Sequence, residues 1–189
     1  SVQRIQVLRG AASLQYGPQF GGMVNFIMKD GSDINKPFQY ESQQTAGSFG
    51  LFNSYNAVGG ETGKTHYYAF WDHRRGDGFR ENSGFKVNTG YGTISWKINP
   101  KLKVGVEITH FNYLSQQPGG LTDAQFKVDA YSSLRQRNWF EVKWNIAAIN
   151  LDYTFSEKSR LNIKTFAMYG ERNSIGFNQT PNIADSINA

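Results

Sequence analysis

The sequence predicts an all-β protein, and three observations support this fold class: the residue composition, an alternation of apolar and polar residues, and the spacing of turns. The 189 residues include 14 Phe, 10 Tyr, 4 Trp and 20 Gly, a composition typical of many short strands joined by turns. The sequence contains no run of about 18 apolar residues, which a transmembrane helix needs. A transmembrane β-barrel is compatible with it, because a barrel strand needs only about 9 to 11 residues with alternate positions apolar.

Seven segments of strand length follow residue 37. In the fifth segment Val104, Val106 and Ile108 alternate with polar or small residues that include Glu107 and Thr109. Side chains at alternate positions of a strand point to opposite faces. We therefore expect the apolar residues to face lipid and the polar residues to face a lumen. The predicted strands cover approximately residues 38–48, 51–60, 65–75, 86–98, 102–114, 139–155 and 160–173.

The apolar pattern of the sixth segment changes phase in its middle. Apolar residues occupy even positions as far as Ile146 and odd positions from Ile149 onwards. An extra residue inserted in one strand of a ladder would produce such a slip. We therefore predict either a β-bulge at Ala147–Ala148 or a strand end that leaves the membrane there.

The connections between the predicted strands alternate between tight and long. A transmembrane barrel closes successive hairpins at opposite ends, with short turns on one side and long loops on the other. The turn at residues 47–50 is an exception, because it is short where a long loop is expected. The tight turns are 61–64, 99–101 and 156–159, and the long loops are 76–85, 115–138 and the chain after residue 173.

Aromatic residues cluster near the predicted tight turns. Barrel strands carry girdles of aromatic side chains where lipid meets water. We therefore expect such a girdle to be formed by Tyr67, Tyr68, Trp96, Tyr153 and Phe155.

Composition and motifs exclude several classes of function. The absence of cysteine removes disulfides, cysteine–zinc clusters and thiol nucleophiles. The 20 Lys and Arg and the 15 Asp and Glu are interspersed, so no nucleic-acid partner is predicted. The glycine-rich segment 59–65 lacks the spacing of a phosphate-binding loop, and the three histidines have no partner at metal-ligand spacing. We predict no enzyme activity, no metal site and no cofactor.

Residues 4–29 carry a resemblance to a known family. They read RIQVLRGAASLQYGPQFGGMVNFIMK, in which two apolar runs flank a loop rich in Gly and Ala. This order resembles the C-terminal end of the plug domain of TonB-dependent outer-membrane transporters. Within that family, residues 16–19 look most like the ferric dicitrate branch of siderophore receptors. Residues 77–82 and 118–126 also resemble outer-loop segments of that branch.

The resemblance implies two domains. Residues 1–36 would be the end of the plug and a linker, and residues 37–189 would be the first seven or so antiparallel strands of a transmembrane β-barrel, which has about 22 strands in the family. The chain would then be an internal fragment of a transporter in the outer membrane of a Gram-negative bacterium. The implied function is TonB-dependent uptake of a ferric chelate, a citrate-type siderophore, that is held by outer loops and the plug apex.

The resemblance also implies partners. They are ferric citrate as ligand, TonB through a segment absent from this chain, and outer-membrane lipid with lipopolysaccharide. Two alternatives stay open. The same fold could import a glycan or a peptide with a surface lipoprotein, or the chain could belong to a passive porin or an adhesin barrel. A passive barrel would have no plug, so residues 1–29 argue against it.

The long loops contain the candidate ligand-binding residues. Arg80 falls in the first long loop, and Arg135 and Arg137 end the second. A guanidinium offers planar paired donors to a carboxylate, so arginines around one cavity would hold a polycarboxylate iron chelate. The alternative is that they are solvated or bind lipopolysaccharide phosphates. The resemblance adds Gln19, whose segment forms the ligand-facing plug apex in the ferric dicitrate branch.

Overall fold

The computed structural model describes residues 1–10 and 21–185, and nearly all regular structure in them is β. The strands are β1 (Val2–Leu8), β2 (Met23–Met28), β3 (Gln39–Ala46), β4 (Phe52–Thr62), β5 (Thr65–Gly76), β6 (Phe85–Asn99), β7 (Leu102–Gln116), β8 (Trp139–Ser156) and β9 (Ser159–Ile175). A short helix, α1, spans Asp123–Val128. The all-β prediction is confirmed, and every predicted strand bound lies within two residues of the observed one. Neither described range holds a helix that is long and apolar enough to cross a membrane.

The strands form two sheets. β1 and β2 pair antiparallel as a two-stranded ribbon, and β3 to β9 form a seven-stranded antiparallel sheet in which each strand neighbours the next in sequence. The turns after β4, β6 and β8 therefore lie at one end of the sheet, and the longer connections after β5, β7 and β9 lie at the other. The predicted alternation of tight and long connections is confirmed, with the short turn between β3 and β4 as its exception.

The predicted β-bulge at Ala147–Ala148 is wrong. The ladders that join β8 to β7 and to β9 run through these residues without a shift in register, and the β8–β9 ladder shifts only between Thr154 and Ser156. The apolar pattern changes phase because the face of the sheet that carries the apolar side chains of β8 changes along the strand. Near the tight turns the apolar side chains lie on one face, and nearer the long loops they lie on the other.

The ribbon distinguishes the two faces of the seven-stranded sheet. We call the side on which it lies the ribbon face and the opposite side the back face. Asp30, which follows β2, and Glu107 of β7 line one cavity of about 310 Å³ between ribbon and sheet, so Glu107 lies on the ribbon face. Val104, Val106 and Ile108 alternate with it and lie on the back face. The predicted separation of apolar and polar sides of β7 is confirmed.

An apolar band covers the back face next to the tight turns. From the row of Leu102 to the row of Ile108, the side chains of β7, β8 and β9 on this face are apolar except Thr165. The next row adds Trp71 and Tyr169. Beyond it the face is mixed, because polar and charged residues lie beside Phe52, Leu114 and Trp139. At about 3.3 Å per residue the band measures about 26 Å along the strands, close to the lipid-facing belt of a transmembrane barrel.

The predicted aromatic girdle needs one correction. Tyr67, Trp96 and Tyr153 lie on the back face and Phe155 packs against Tyr153, but Tyr68 points to the ribbon face. Tyr68 is buried there because it packs with Ile34 and Tyr91 under the ribbon. Proximity to a tight turn did not reveal which face a side chain would take, since that depends on strand parity.

The linker between β2 and β3 docks on the ribbon face. Ile34 is buried in a cluster with Ala57, Tyr68 and Tyr91. Gly59 leaves the space for it, because a Cβ on Gly59 would lie 2.7 Å from Ile34 Cδ1. The linker is therefore fixed to the sheet by an apolar side chain within a segment that the sequence shows as polar. The proposed domain boundary between residues 36 and 37 stays a prediction.

Gly31 brings the linker backbone against the sheet, and its replacement tests this contact. Gly31 has a φ of +83°, and an added Cβ would lie 2.2 Å from the Tyr67 carbonyl oxygen. Gly63 is a matched control, since it has a φ of +61° with open space around it. In the full-length protein we expect Gly63→Ala to lower the free energy of unfolding by about 1 kcal/mol and Gly31→Ala by roughly twice that. Urea unfolding in detergent micelles measures both, and equal losses would contradict the close contact.

Candidate ligand-binding site beneath a loop cluster

Three long connections meet at the end of the sheet opposite the tight turns. We call residues 77–84, 117–138 and 176–185 the loop cluster. Backbone hydrogen bonds join them: the Glu81 amide donates to the Tyr131 carbonyl at 2.9 Å, and the Asp185 amide donates to the Leu134 carbonyl at 2.8 Å. The loops therefore form one connected layer at this end of the sheet.

Arg80 joins the first loop to the second. Its guanidinium donates to the Gly119 carbonyl at 2.7 Å and to the Ser132 carbonyl at 2.8 Å. The second loop is ordered locally by α1, at whose start Thr122 and Gln125 form a capping box. A charged donor on two carbonyls is a strong hydrogen-bonding arrangement. Arg80 therefore fixes the position of the first loop relative to both ends of the second.

Arg135 joins the second loop to the third. Its side chain is 6% exposed, and its guanidinium donates to the carbonyls of Gln179 at 2.8 Å, Thr180 at 3.0 Å and Ile183 at 2.6 Å. Gly119 leaves room for the side chain, because a Cβ there would lie 2.6 Å from Arg135 Cγ. The cation is buried but has hydrogen-bond acceptors on several sides, as a buried charge requires.

Arg137 forms an ion pair with Asp185. Its Nε donates to Asp185 Oδ1 at 2.8 Å, its backbone amide donates to Oδ2 at 3.0 Å, and its Nη2 also contacts Oδ1. The hydrogen bond from Arg137 lowers the pKa of the Asp185 carboxyl, and the bond to Asp185 raises the pKa of Arg137. The ring of Phe177 lies 5.4 Å from the Arg135 guanidinium and 5.9 Å from that of Arg137.

The Arg137–Asp185 pair should make the third loop sensitive to acid. Because the folded-state pKa of Asp185 is lowered, its contribution is fully present above the ordinary value of about 3.9 and is lost as the pH falls through the folded value. We expect a spin label on Asn182→Cys to stay immobile from pH 7 to about pH 4 and to become mobile below that. With Asp185→Asn the label should be mobile throughout, and mobility independent of pH in the parent would contradict the role of the pair.

Asn82 is a residue of the loop cluster that sequence reasoning missed. Its side-chain amide donates to the Arg135 carbonyl and lies near the carbonyls of Gln117 and Asn138. It has a φ of +52°, a conformation that asparagine adopts more readily than most residues. An asparagine in a loop is only weak evidence for such a role. Its hydrogen-bond partners lie more than 30 residues away in the sequence, so no local motif indicated them.

An aromatic wall lies on the ribbon face between the loop cluster and the ribbon. Phe70 stacks on Tyr91 with ring centroids 5.7 Å apart, and Phe111 lies 5.1 Å from Trp144. Tyr113 and Phe140 continue it towards the loops, where the Arg172 guanidinium lies 4.8 Å from the Phe140 ring. The rings from β8 are at its apolar even-numbered positions, and the other rings lie on neighbouring strands. The change of phase in the apolar pattern of β8 therefore indicated this wall in the sequence.

The structure brings together three of the four predicted ligand-binding residues. Arg80, Arg135 and Arg137 all belong to the loop cluster, and each has intramolecular acceptors for its guanidinium. Gln19 lies outside the described residues. Contact of these four residues with a ligand stays a prediction.

The described residues thus form a two-stranded ribbon on one face of an antiparallel meander, with long loops at one end of the meander. Comparison with solved structures identifies this fold as that of the barrel portion of TonB-dependent receptors. The ferric citrate transporter FecA in its unliganded form matches with a TM-score of 0.77 and 21% identity over 93% of this chain and 27% of that chain. FpvA of Pseudomonas aeruginosa, bound to a heterologous pyoverdine, matches with a TM-score of 0.74 and 19% identity over 88% of this chain and 24% of that chain.

The predicted resemblance to this family is confirmed at the level of the fold. The chain spans about a quarter of the length of these two structures. No family model matches it.

Proposed function

We propose that this chain is part of an outer-membrane receptor of a Gram-negative bacterium that takes up a ferric chelate. The observation that supports this best is the match to FecA over 93% of the chain. The apolar band on the back face suits a lipid environment, and the loop cluster with the aromatic wall suits a ligand site on the opposite face. The proposal includes no enzyme activity.

The proposal includes a division of roles among the ribbon, the sheet and the loop cluster. The ribbon would belong to a plug made of residues 1–36, the sheet would be the start of the barrel wall from residue 37, and the loop cluster would face the outside. The Asp30 carboxylate near the end of the ribbon pairs with Lys103 of β7 at 3.8 Å, and Lys29 pairs with Glu41 at 3.6 Å. These half-exposed ion pairs are weak contacts, so a pull through TonB could separate the ribbon from the wall while Ile34 keeps the linker docked on the sheet.

For the ligand we propose a citrate-type ferric chelate held by Gln19, Arg80, Arg135 and Arg137. The arginines already donate to carbonyls and to Asp185, so ligand carboxylates would have to replace these acceptors as the loops move. Carboxylates are better acceptors than carbonyls for a guanidinium, which makes the exchange chemically reasonable. Arg172, beside the aromatic wall, is a further cation on the ligand side.

Calorimetry on the full-length protein tests this assignment. We expect ferric citrate to bind and a neutral iron chelate to bind much more weakly. Arg80→Ala or Arg137→Ala should each weaken ferric citrate binding by roughly 1.5 to 3 kcal/mol, the value of a hydrogen bond to a charged group. No ferric citrate binding by the parent would rule out the citrate proposal, whereas uptake of another iron chelate would leave the receptor proposal intact.

Asp185→Ala separates direct contact from loop opening. It breaks the same ion pair as Arg137→Ala but keeps the arginine. If Arg137 contacts the ligand, Asp185→Ala should leave ferric citrate affinity unchanged or raise it. Equal losses in both variants would show that Arg137 acts only by fastening the third loop.

A further inference from the structure

A groove of about 640 Å³ crosses the back face at the edge of the apolar band nearest the long loops. Small residues form much of its floor, Trp71 and Tyr169 stand at its two sides, and Ile108 lies between the small residues of β6 and β8. The groove therefore lies opposite the ribbon, away from the candidate ligand site. Its lining on this face includes Trp71, Gly90, Gly92, Ile108, Ala147 and Tyr169.

Trp71 shapes one wall of this groove. A Cβ on Gly90 would lie 2.9 Å from the Trp71 ring, so the indole lies across the glycine. It reaches His110, with ring centroids 5.9 Å apart and ring planes inclined by only 8°, and His110 Nδ1 in turn hydrogen-bonds Asn145 Oδ1 at 2.8 Å. The wall is thus held in place by contacts that span β5 to β8, although Trp71 is 47% exposed.

Polar and then cationic residues follow the groove towards the long loops. The next row holds His73, which hydrogen-bonds Asn88 at 2.8 Å. One row further, Arg75 and Lys86 lie directly opposite each other on adjacent strands. These two cations are four residues beyond Trp71 and Gly90, which is about 13 Å along the strands.

Arg75 and Lys86 have no acidic partner. No ion pair in the described residues includes either of them. The acidic residues at this height of the back face are on β8 and β9, where Glu141 pairs with Lys143 at 2.8 Å and Glu171 lies opposite Lys143. The positive charge on β5 and β6 is therefore available to an external anion.

We propose that the groove binds an acyl chain of lipopolysaccharide and that Arg75 and Lys86 bind a phosphate of its lipid A headgroup. On β5 and β6 the apolar groove is followed by a hydrogen-bonding row and then by a pair of cations, which is the order of groups in a phosphorylated glycolipid. The proposal rests on the proposed function in one respect: if the long loops face outwards, this edge of the band meets the outer leaflet, whose anionic lipid is lipopolysaccharide.

The test is a titration of the purified full-length protein in detergent with lipid A or with phosphatidylglycerol, followed by native mass spectrometry. Arg75→Ala/Lys86→Ala should weaken lipid A binding on the order of ten- to thirtyfold, because each cation near an anionic headgroup contributes to binding. The control Lys64→Ala/Lys101→Ala removes the same charge at the tight turns and should leave binding unchanged.

A second pair of variants tests the groove itself. Gly92→Leu should fill the floor and weaken lipid A binding several-fold, since fewer methylenes of the chain are buried. A Cβ at Gly92 makes only ordinary contacts, the nearest at 3.6 Å, so the backbone tolerates the change. Thr165→Leu enlarges a side chain of the same band outside the groove and should have no effect.

Several results would overturn the lipid site. They are unchanged lipid A binding in the Arg75/Lys86 variant, an equal loss in the tight-turn control, or equal affinity for phosphatidylglycerol. The titration needs no assumption about transport. If the parent binds lipid A selectively but cells that carry it take up no ferric chelate, the proposed function fails and the lipid site stands.

Discussion

In the full-length protein, Arg135→Ala is expected to release residues 176–185 from the loop cluster. The guanidinium donates to three carbonyls of that segment and is almost fully buried. Hydrogen bonds that share one buried charge are not additive, and removing one partner of a buried charged network costs about 3 to 5 kcal/mol, which is the loss expected for the closed loop. Amide hydrogen exchange measures the loss, and the Asp185 amide, which donates to Leu134, should exchange at least a hundredfold faster.

Two controls define what Arg135 contributes. Lys127→Ala removes an exposed cation from α1 in the second loop and should leave exchange in residues 176–185 unchanged. Arg135→Lys keeps the charge but has three donors at one point in place of a planar fork, so it should restore protection only in part. Slow exchange of the Asp185 amide in Arg135→Ala would show that the backbone contacts alone hold the loop.

The strands could be predicted from the sequence because their signal is local. In β7 the period of two is complete within about ten residues, and its length is limited by the tight turn before it and by the long loop after it. The match of predicted and observed bounds follows from this. The fold class and the direction of each loop then needed only the rule that successive hairpins close at opposite ends.

The loop cluster could not be predicted because its contacts are distant and involve the backbone. The acceptors of Arg80 lie 39 and 52 residues away, and those of Arg135 across the two loops lie 44 to 48 residues away. A backbone carbonyl has no residue type, so no motif marks it. The sequence showed that arginines gather in the long loops, but it did not show that they join one loop to another.

The aromatic wall is an intermediate case. Its signal was present in the phase slip of β8, where Trp144 and Phe140 occupy even positions while Ile149 and Leu151 occupy odd ones. The slip predicts either a bulge or a strand end that leaves the membrane, and the unbroken ladders rule out only the bulge. A strand longer than the apolar band can have apolar side chains on opposite faces in its two halves, and β8 has 18 residues.

Because the apolar band would face lipid, we expect Val106→Arg to lower the free energy of unfolding by about 2 to 4 kcal/mol. Val106 lies on the back face between Ile94 and Ile149. It is four residues from Leu102 at one edge of the band and four from the row of Trp71 at the other, so it would be near the middle of the membrane. A cation there has no acceptor, and the cost is highest at the bilayer midplane.

Thr93→Arg is the matched control for Val106→Arg. Thr93 is also a β-branched residue, one row away, but it lies on the ribbon face directly opposite Glu107 and lines the polar cavity under the ribbon. A cation there gains an acidic neighbour and water, so the variant should lose less than about 1 kcal/mol. Reversible urea unfolding of the full-length protein into lipid vesicles measures both, and equal tolerance of Arg at positions 93 and 106 would mean that the back face does not meet lipid.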